Sequence, residues 1–231
     1  MALLCIVVPA YNEARVIGST LAHLPREIGG VSITVAVIDD GSSDGTSDVV
    51  LASGDDRIVL LHHAINRGLG GALGTGIEYA RKIGADYVVT YDADGQHAPE
   101  DIAVVLAPIA AGRADAVIGS RLLSPKGMPW YRIVGNWGLN LFTYFLFGLW
   151  TTDSQSGLRA FNRKAIEQIQ LRADRMEVSS EFIKEIRRTH LSFEEVPVRA
   201  IYSDYSLAKG QKNRNGINIV IRLLLYRLLE D

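Results

Sequence analysis

Between residues 3 and 120, short apolar runs alternate with segments of helical spacing, and two of the runs lead straight into carboxylates. Leu3–Val8, Ser32–Ile38, Ile58–His62, Asp86–Tyr91 and Ala116–Gly119 read as strands. Glu13–Leu24, Thr46–Ala52, Gly71–Ile83 and Pro99–Ile109 have the spacing of helices. This alternation predicts an α/β fold with a mostly parallel central sheet flanked by helices. At 231 residues, 48% apolar and 22% charged, the chain can bury one substantial core. It has no internal repeat and no low-complexity linker, so residues 1–231 read as a single domain.

Ligands in open α/β sheets bind beyond the carboxyl ends of the strands, and the chemistry-bearing residues fall there. The run ending at Tyr91 leads into Asp92-Ala93-Asp94-Gly95-Gln96-His97. In extended backbone Asp92 and Asp94 share a face, and with the amide of Gln96 they form a hard oxygen site for Mg²⁺ or Mn²⁺. A plain surface turn is the competing reading of the same residues. The first run ends in Pro9-Ala10-Tyr11-Asn12-Glu13. Tyr11 offers a flat face to a base and Glu13 an acceptor; equally, Asn12 is a candidate N-cap for a helix. The second run ends in Asp39-Asp40, adjacent carboxylates that are costly unless they meet donors, such as those of a nucleoside. Asp44-Gly45-Thr46 reads as the turn into the next helix. The glycine-rich stretch from Gly68 to Gly76 lacks dinucleotide-fingerprint spacing, since Leu73 stands where the third glycine belongs. It fits close helix packing or backbone amides near a ligand.

A net charge of −2 gives no footprint for nucleic-acid binding. The single cysteine, Cys5, excludes an internal disulfide framework and fits a reducing, cytoplasmic compartment. The apolar start lacks a basic n-region and reads as a strand. Ile133–Trp150 is short for a membrane span, contains Asn136 and Asn140, and reads as a buried or interfacial helix. Further helices are expected from Arg163 and over Ser180–Arg188, with a strand at Phe193–Val198. Tyr202–Asn215 reads as a polar loop and the tail from 216 to 231 as an amphipathic helix. The apolar face of that tail would meet the domain's own core, a second subunit in a homo-oligomer, or a membrane.

Taken together, these motifs resemble the family 2 glycosyltransferases, which have the GT-A fold and use nucleotide-sugars. The matching pieces are Val8-Pro9-Ala10-Tyr11-Asn12-Glu13, Asp39 through Thr46, Asn66 with its glycines, and Asp92-Ala93-Asp94. Within the family the chain is most similar to the dolichyl- or polyprenyl-phosphate sugar synthases. The pointers are Asp92 through Glu100, Gly119-Ser120-Arg121, Asp153-Ser154-Gln155-Ser156-Gly157-Leu158-Arg159-Ala160-Phe161, and Glu195-Val196-Pro197. The resemblance implies a nucleotide- and metal-binding half over 1–120 and an acceptor-binding half over 121–215. It implies that Pro9, Tyr11, Glu13 and Asp39 or Asp40 bind the nucleoside, and that Asp92, Asp94 and Gln96 hold the metal. Arg121 and Lys209 would meet the acceptor phosphate, together with donors from the segment before Asp153. Two departures stand out. Only Lys209 aligns with the family's late Arg-x-x-Gly-x-Ser-Lys, and the C-terminal membrane helices of many relatives are absent.

The expected reaction is an inverting transfer from GDP-mannose or a UDP-hexose to a polyprenyl or dolichyl phosphate, at the cytoplasmic face of the membrane. A lipid phosphate needs no base; a saccharide hydroxyl would need one, with Asp153 the candidate and Glu181 a weaker one. The aromatic segment from Trp130 to Trp150 would serve as a peripheral platform for a prenyl chain or else form a buried helix pair. A nucleotidyltransferase would carry a basic glycine-rich first loop, where this chain has Pro9-Ala10-Tyr11-Asn12-Glu13. A non-catalytic binding module would have no need of clustered Asp92, Asp94 and Gln96.

Overall fold

The structure, a computed structural model, describes residues 2–201; Lys209, the polar loop and the amphipathic tail lie outside the described residues. Three parallel strands form its centre: β1 (Leu3–Ala10) lies between β3 (Val31–Asp39) and β5 (Tyr87–Thr90). Leu4, Ile6 and Val8 face one core and Cys5 and Val7 the other, so the strand is apolar on both sides. Beyond β3 lie β4 (Ile58–His62), parallel, and the short antiparallel β2 (Glu27–Ile28).

The other half of the sheet adds antiparallel pairings to the mostly parallel sheet expected from the sequence. β7 (Arg159–Asn162) is inserted between β5 and β6 (Ala116–Ser120) and runs antiparallel to both. β8 (Phe193–Pro197) then pairs parallel with β6, giving the order β2-β3-β1-β5-β7-β6-β8 with β4 on β3. The sheet is therefore mixed. Its first half matches the sequence expectation, whereas β7 has no apolar run long enough to announce it.

Helices cover both faces. α1 (Ile17–Ala22), α2 (Thr46–Ala52) and α4 (Asp101–Ala110) pack on one side. α3 (Leu69–Lys82), α6 (Arg163–Gln168) and α7 (Val178–Arg188) pack on the other. α1 is shorter than its apolar spacing suggests. Asn12 takes a left-handed φ of 54° instead of capping it, and residues 13–16 form a turn. α5 (Trp130–Phe147) buries only Asn140, Thr143 and Phe147. Trp130, Val134, Trp137, Leu141, Tyr144 and Phe145 on its outer side are exposed, so the segment is not a fully buried helix. Among the described residues no helix is long and apolar enough to cross a membrane.

The glycine-rich start of α3 is resolved in favour of packing. A Cβ on Gly76 would collide with Val7, and one on Gly70 with the backbone of Ala173. The amides of Gly70 and Gly71 donate to Asp174 O at 2.9 and 3.2 Å, so a backbone carbonyl caps the helix.

Candidate active site

The loops after β1 and β3 are laced together. Asn12 N donates to Ser42 Oγ, Ser43 N to Asn12 Oδ1, and Glu13 N to Thr46 Oγ1, each at 2.9 Å. This brings half-buried Pro9, exposed Tyr11 and buried Glu13 beside Asp39 and Asp40. The donors that the two aspartates require come from the protein itself. Asp39 accepts from Ser42 N at 2.9 Å and from Ser47 Oγ. Burial would raise its pKa, but the hydrogen bonds from Ser42 and Ser47, with nearby His62, hold it below the usual carboxylate range. Asp40 contacts His63 Nδ1 at 2.7 Å and accepts from Arg67 N at 2.9 Å and Gly68 N at 2.7 Å, fixing the turn into α3.

The chain leaving β5 carries Asp92, Asp94 and Gln96. Asp94 Oδ1 accepts from Gln96 N at 3.0 Å, and the Gln96 amide also touches Asp94 Oδ2. Asp92 Oδ2 lies 3.3 Å from His97 Nε2, and the Tyr91 hydroxyl donates to His97 O at 2.6 Å, anchoring the turn. Gly157 lies directly behind the Asp92 carboxylate; a Cβ there would sit 2.5 Å from Oδ1 and closer still to Oδ2. Thr90 Oγ1 donates to Gly157 O at 2.7 Å and fixes that close approach. Burial and the adjacent charge of Asp92 raise the pKa of Asp94. Burial also acts to raise Asp92, but His97, Arg159 and Arg121 outweigh it and lower its pKa.

Two crowded carboxylates and an amide oxygen form the all-oxygen donor set that a hard divalent cation accepts, and the raised Asp94 is the repulsion such a cation would relieve. The residues therefore fit Mg²⁺ or Mn²⁺. Among the described residues no cluster of three or more His, Cys, Asp or Glu side chains could hold a metal.

Arg159, the first residue of β7, is 1% exposed. Its Cζ lies 4.7 Å from the Phe182 ring centroid, and its Nη2 donates to Ser154 O at 3.3 Å. Burial lowers its pKa to about 10, against the attraction of Asp92 and Asp153. It is the buried counter-charge of this half of the site.

Asp153, fully buried, and Arg121, at the end of β6, form one unit. Asp153 Oδ2 accepts from Arg121 N at 3.0 Å and Nε at 2.7 Å, and Oδ1 accepts from Nη2 at 2.9 Å. The Arg121 side chain remains 19% exposed. Glu195 on β8 holds the loop before Asp153, accepting from Thr151 Oγ1 at 2.7 Å and Thr152 N at 2.8 Å. Ser120 Oγ lies 2.7 Å from Thr152 Oγ1. Glu181 takes no part in this constellation. It is buried on α7 and accepts from Arg172 N and Ala173 N, both at 2.9 Å. Lys209 lies outside the described residues.

The sequence alone assigned no role to His97, Gly157, Arg159, Asn140 or Glu195. All but Asn140 lie in the quoted motifs, but the placing of Gly157 and Arg159 depends on β7 running antiparallel, which turns its leading end toward Asp92.

Residues 5–170 match the family described as glycosyl transferase family 2. The UDP-N-acetylglucosamine–dolichyl-phosphate N-acetylglucosaminyltransferase of Methanococcus voltae is 38% identical over 245 residues, covering 98% of this chain and 96% of the relative. The polyprenol monophosphomannose synthase of Mycolicibacterium smegmatis is 34% identical over 179 residues, covering 73% of this chain and 64% of the relative. Among solved structures, glucosyl-3-phosphoglycerate synthase from Mycobacterium tuberculosis in complex with Mn²⁺ and UDP-glucose superposes with a TM-score of 0.70 at 21% identity, covering 98% of this chain and 78% of that one. At that identity the likeness establishes the fold. With the family match spanning β1 to the loop after α6, this chain belongs to glycosyl transferase family 2 and is an enzyme of the glycosyltransferase class with a GT-A fold.

Proposed function

We propose that the enzyme transfers a sugar from a nucleotide-sugar to a polyprenyl or dolichyl phosphate, with inversion at the anomeric carbon. The observation that carries this reading is Arg121, a partly exposed guanidinium locked by buried Asp153 beside the Asp92–Asp94 loop. Both Asp153 oxygens are engaged by Arg121, which suits a group that aims a cation better than a general base. A phosphate acceptor needs no base: with a second pKa of about 6 it is mostly dianionic at neutral pH. Its attack requires that two anionic groups be held together, which is the work of fixed cations such as Arg121. The named relatives from Methanococcus voltae and Mycolicibacterium smegmatis support a lipid-phosphate acceptor.

In this reading Pro9, Tyr11, Glu13 and the Asp39–Asp40 edge take the nucleoside, and Asp92, Asp94 and Gln96 hold Mg²⁺ or Mn²⁺. When bound, that cation would supply neutralisation of the departing diphosphate. Arg159 keeps Asp92 ionised, and His97 and Gly157 fix its direction. Lys209 remains the second candidate for the acceptor phosphate. The exposed aromatic side of α5 leads from the Arg121 region and would lie on the cytoplasmic face of a membrane. Residues 121–150 carry Arg121, Lys126 and Arg132 and no acidic residue, which suits anionic lipid.

The test offers labelled UDP-N-acetylglucosamine, UDP-glucose and GDP-mannose to farnesyl phosphate and to farnesol, with Mn²⁺ or with EDTA. Transfer from one donor to the phosphate alone, abolished by EDTA, is the expected result. Transfer to farnesol or to a saccharide hydroxyl would overturn the acceptor assignment and return Asp153 to the role of base.

A further inference from the structure

α5 turns two polar side chains, Asn140 and Thr143, into the protein interior, and both are fully buried. A buried side-chain amide on a helix is unfavourable on both counts: asparagine is a mediocre helix former, and its polar atoms lose water. Asn140 recovers that loss on a single target. Its Nδ2 donates to Thr152 O at 2.5 Å, and its Oδ1 accepts from both Ser154 N and Ser154 Oγ at 2.9 Å. One amide thus holds the residues on either side of Asp153, much as a neighbouring strand would. Only a side chain with a donor and an acceptor on one planar group can do this. Glu195 grips Thr151 and Thr152 as well, and Thr143 Oγ1 lies 3.0 Å from Ser180 Oγ, which Gln155 also reaches. Asp153 therefore has little freedom of its own, and its carboxylate fixes Arg121 through three hydrogen bonds.

We infer that Asn140 is a positioning residue for the transfer reaction: it holds the backbone on both sides of Asp153 and, through Asp153, aims the Arg121 guanidinium at the acceptor's phosphate. The inference rests on the acceptor role proposed for Arg121. Its chemical content is a selective effect. The nucleotide edge at Pro9, Tyr11, Glu13 and Asp39 belongs to other loops, so loss of the Asn140 amide loosens acceptor capture and leaves donor binding intact.

The experiment compares Asn140→Asp, Asn140→Ser, Asp153→Asn and the double variant Asn140→Asp/Asp153→Asn. Asn140→Asp keeps the shape and turns a donor into an acceptor facing Thr152 O. Two quantities are read: KM for farnesyl phosphate at saturating donor, and calorimetric affinity for the nucleotide with Mn²⁺ but no acceptor. The expected result is a rise in acceptor KM of about 10-fold to 100-fold in both Asn140 variants, for a guanidinium displaced by about an ångström. Nucleotide affinity stays within about twofold, and the double variant is no worse than Asp153→Asn alone, because both changes act through one group. An unchanged acceptor KM, or effects that multiply independently in the double variant, would overturn the proposal. Joint loss of nucleotide and acceptor binding in both Asn140 variants would reduce Asn140 to a folding role and overturn it too. Undiminished transfer in Asp153→Asn would instead remove the acceptor reading, and the Asn140 proposal with it.

Discussion

Replacing Gly157 with alanine would separate the site from the scaffold. The glycine has no left-handed backbone requirement, so an alanine fits its φ and ψ, and the cost falls on what the methyl meets. It would meet the Asp92 carboxylate, with even the farther oxygen only 2.5 Å away. Carbon–oxygen contacts settle at about 3.3–3.6 Å, so the carboxylate must retreat by roughly 1 Å or more. Its contact to His97 Nε2, at 3.3 Å, is lost in the same movement. Because a side-chain end can swing away, the folded state loses only an off-rotamer penalty of about 1 kcal/mol. The chemistry loses far more: misplacing a reacting or coordinating group by an ångström costs on the order of 100-fold. Titration with GDP and UDP, each with and without Mn²⁺, should show the metal-dependent part of the affinity falling about 10-fold to 100-fold. The melting temperature should move by a few degrees at most. Metal-dependent binding as tight as in the parent protein would refute the assignment of Asp92 to the cation.

Three further outcomes can be checked with the same preparations. Gly70→Ala drives a methyl into the Ala173 backbone, 2.7 Å from its carbonyl carbon, and should cost about 3 kcal/mol in chemical denaturation, whereas Gly74→Ala, with nothing nearby, should be neutral or stabilising. Asp94→Asn removes a carboxylate whose pKa is raised, a group that contributes most when protonated and loses that contribution as pH rises above 3.8. The variant should therefore melt higher than the parent at pH 7 without metal, show no metal-dependent nucleotide binding, and lose the advantage in acid. Asp115 has the opposite sign. Burial acts to raise its pKa, but Lys164, Ser192 and Asn162 hold it well below the usual carboxylate range, so its stabilisation is present above 3.8 and lost as pH falls below it. Asp115→Asn should cost about 2–4 kcal/mol at pH 7, and the difference should shrink in an acid denaturation series.

The half of the molecule proposed to bind nucleotide was the legible half, for a physical reason. β1, β5 and the Val35–Ile38 part of β3 are largely buried on both faces, so each appears in the sequence as an apolar run with the candidate site residues just beyond. β7 gives no such signal: it has four residues and begins with a buried arginine whose charge is balanced by Asp153 nearby and by Asp92, far away in sequence. Asp39 and Asp40 read as carboxylates in need of a ligand's donors, because Ser42, Ser47, Arg67 and Gly68 become their partners only once the loops have folded. Glu181 and Asn140 show the same limit. An acid on an amphipathic helix and an amide in an aromatic one look incidental until the loops they hold are in place.

The antiparallel placement of β7 also bears on how such enzymes change. The chain leaves the sheet at the end of β6 and re-enters on the neighbouring strand, where Gly119 N donates to Leu158 O at 2.9 Å. The segment from Arg121 to Leu158, with α5, Asp153 and Gly157, is therefore a loop with adjoining ends, inserted between two neighbouring strands of the sheet. Such an insertion can lengthen, shorten or be replaced without rethreading a strand. If Arg121 takes the acceptor role proposed for it, exchange of this segment would alter acceptor preference, provided a glycine is kept behind Asp92.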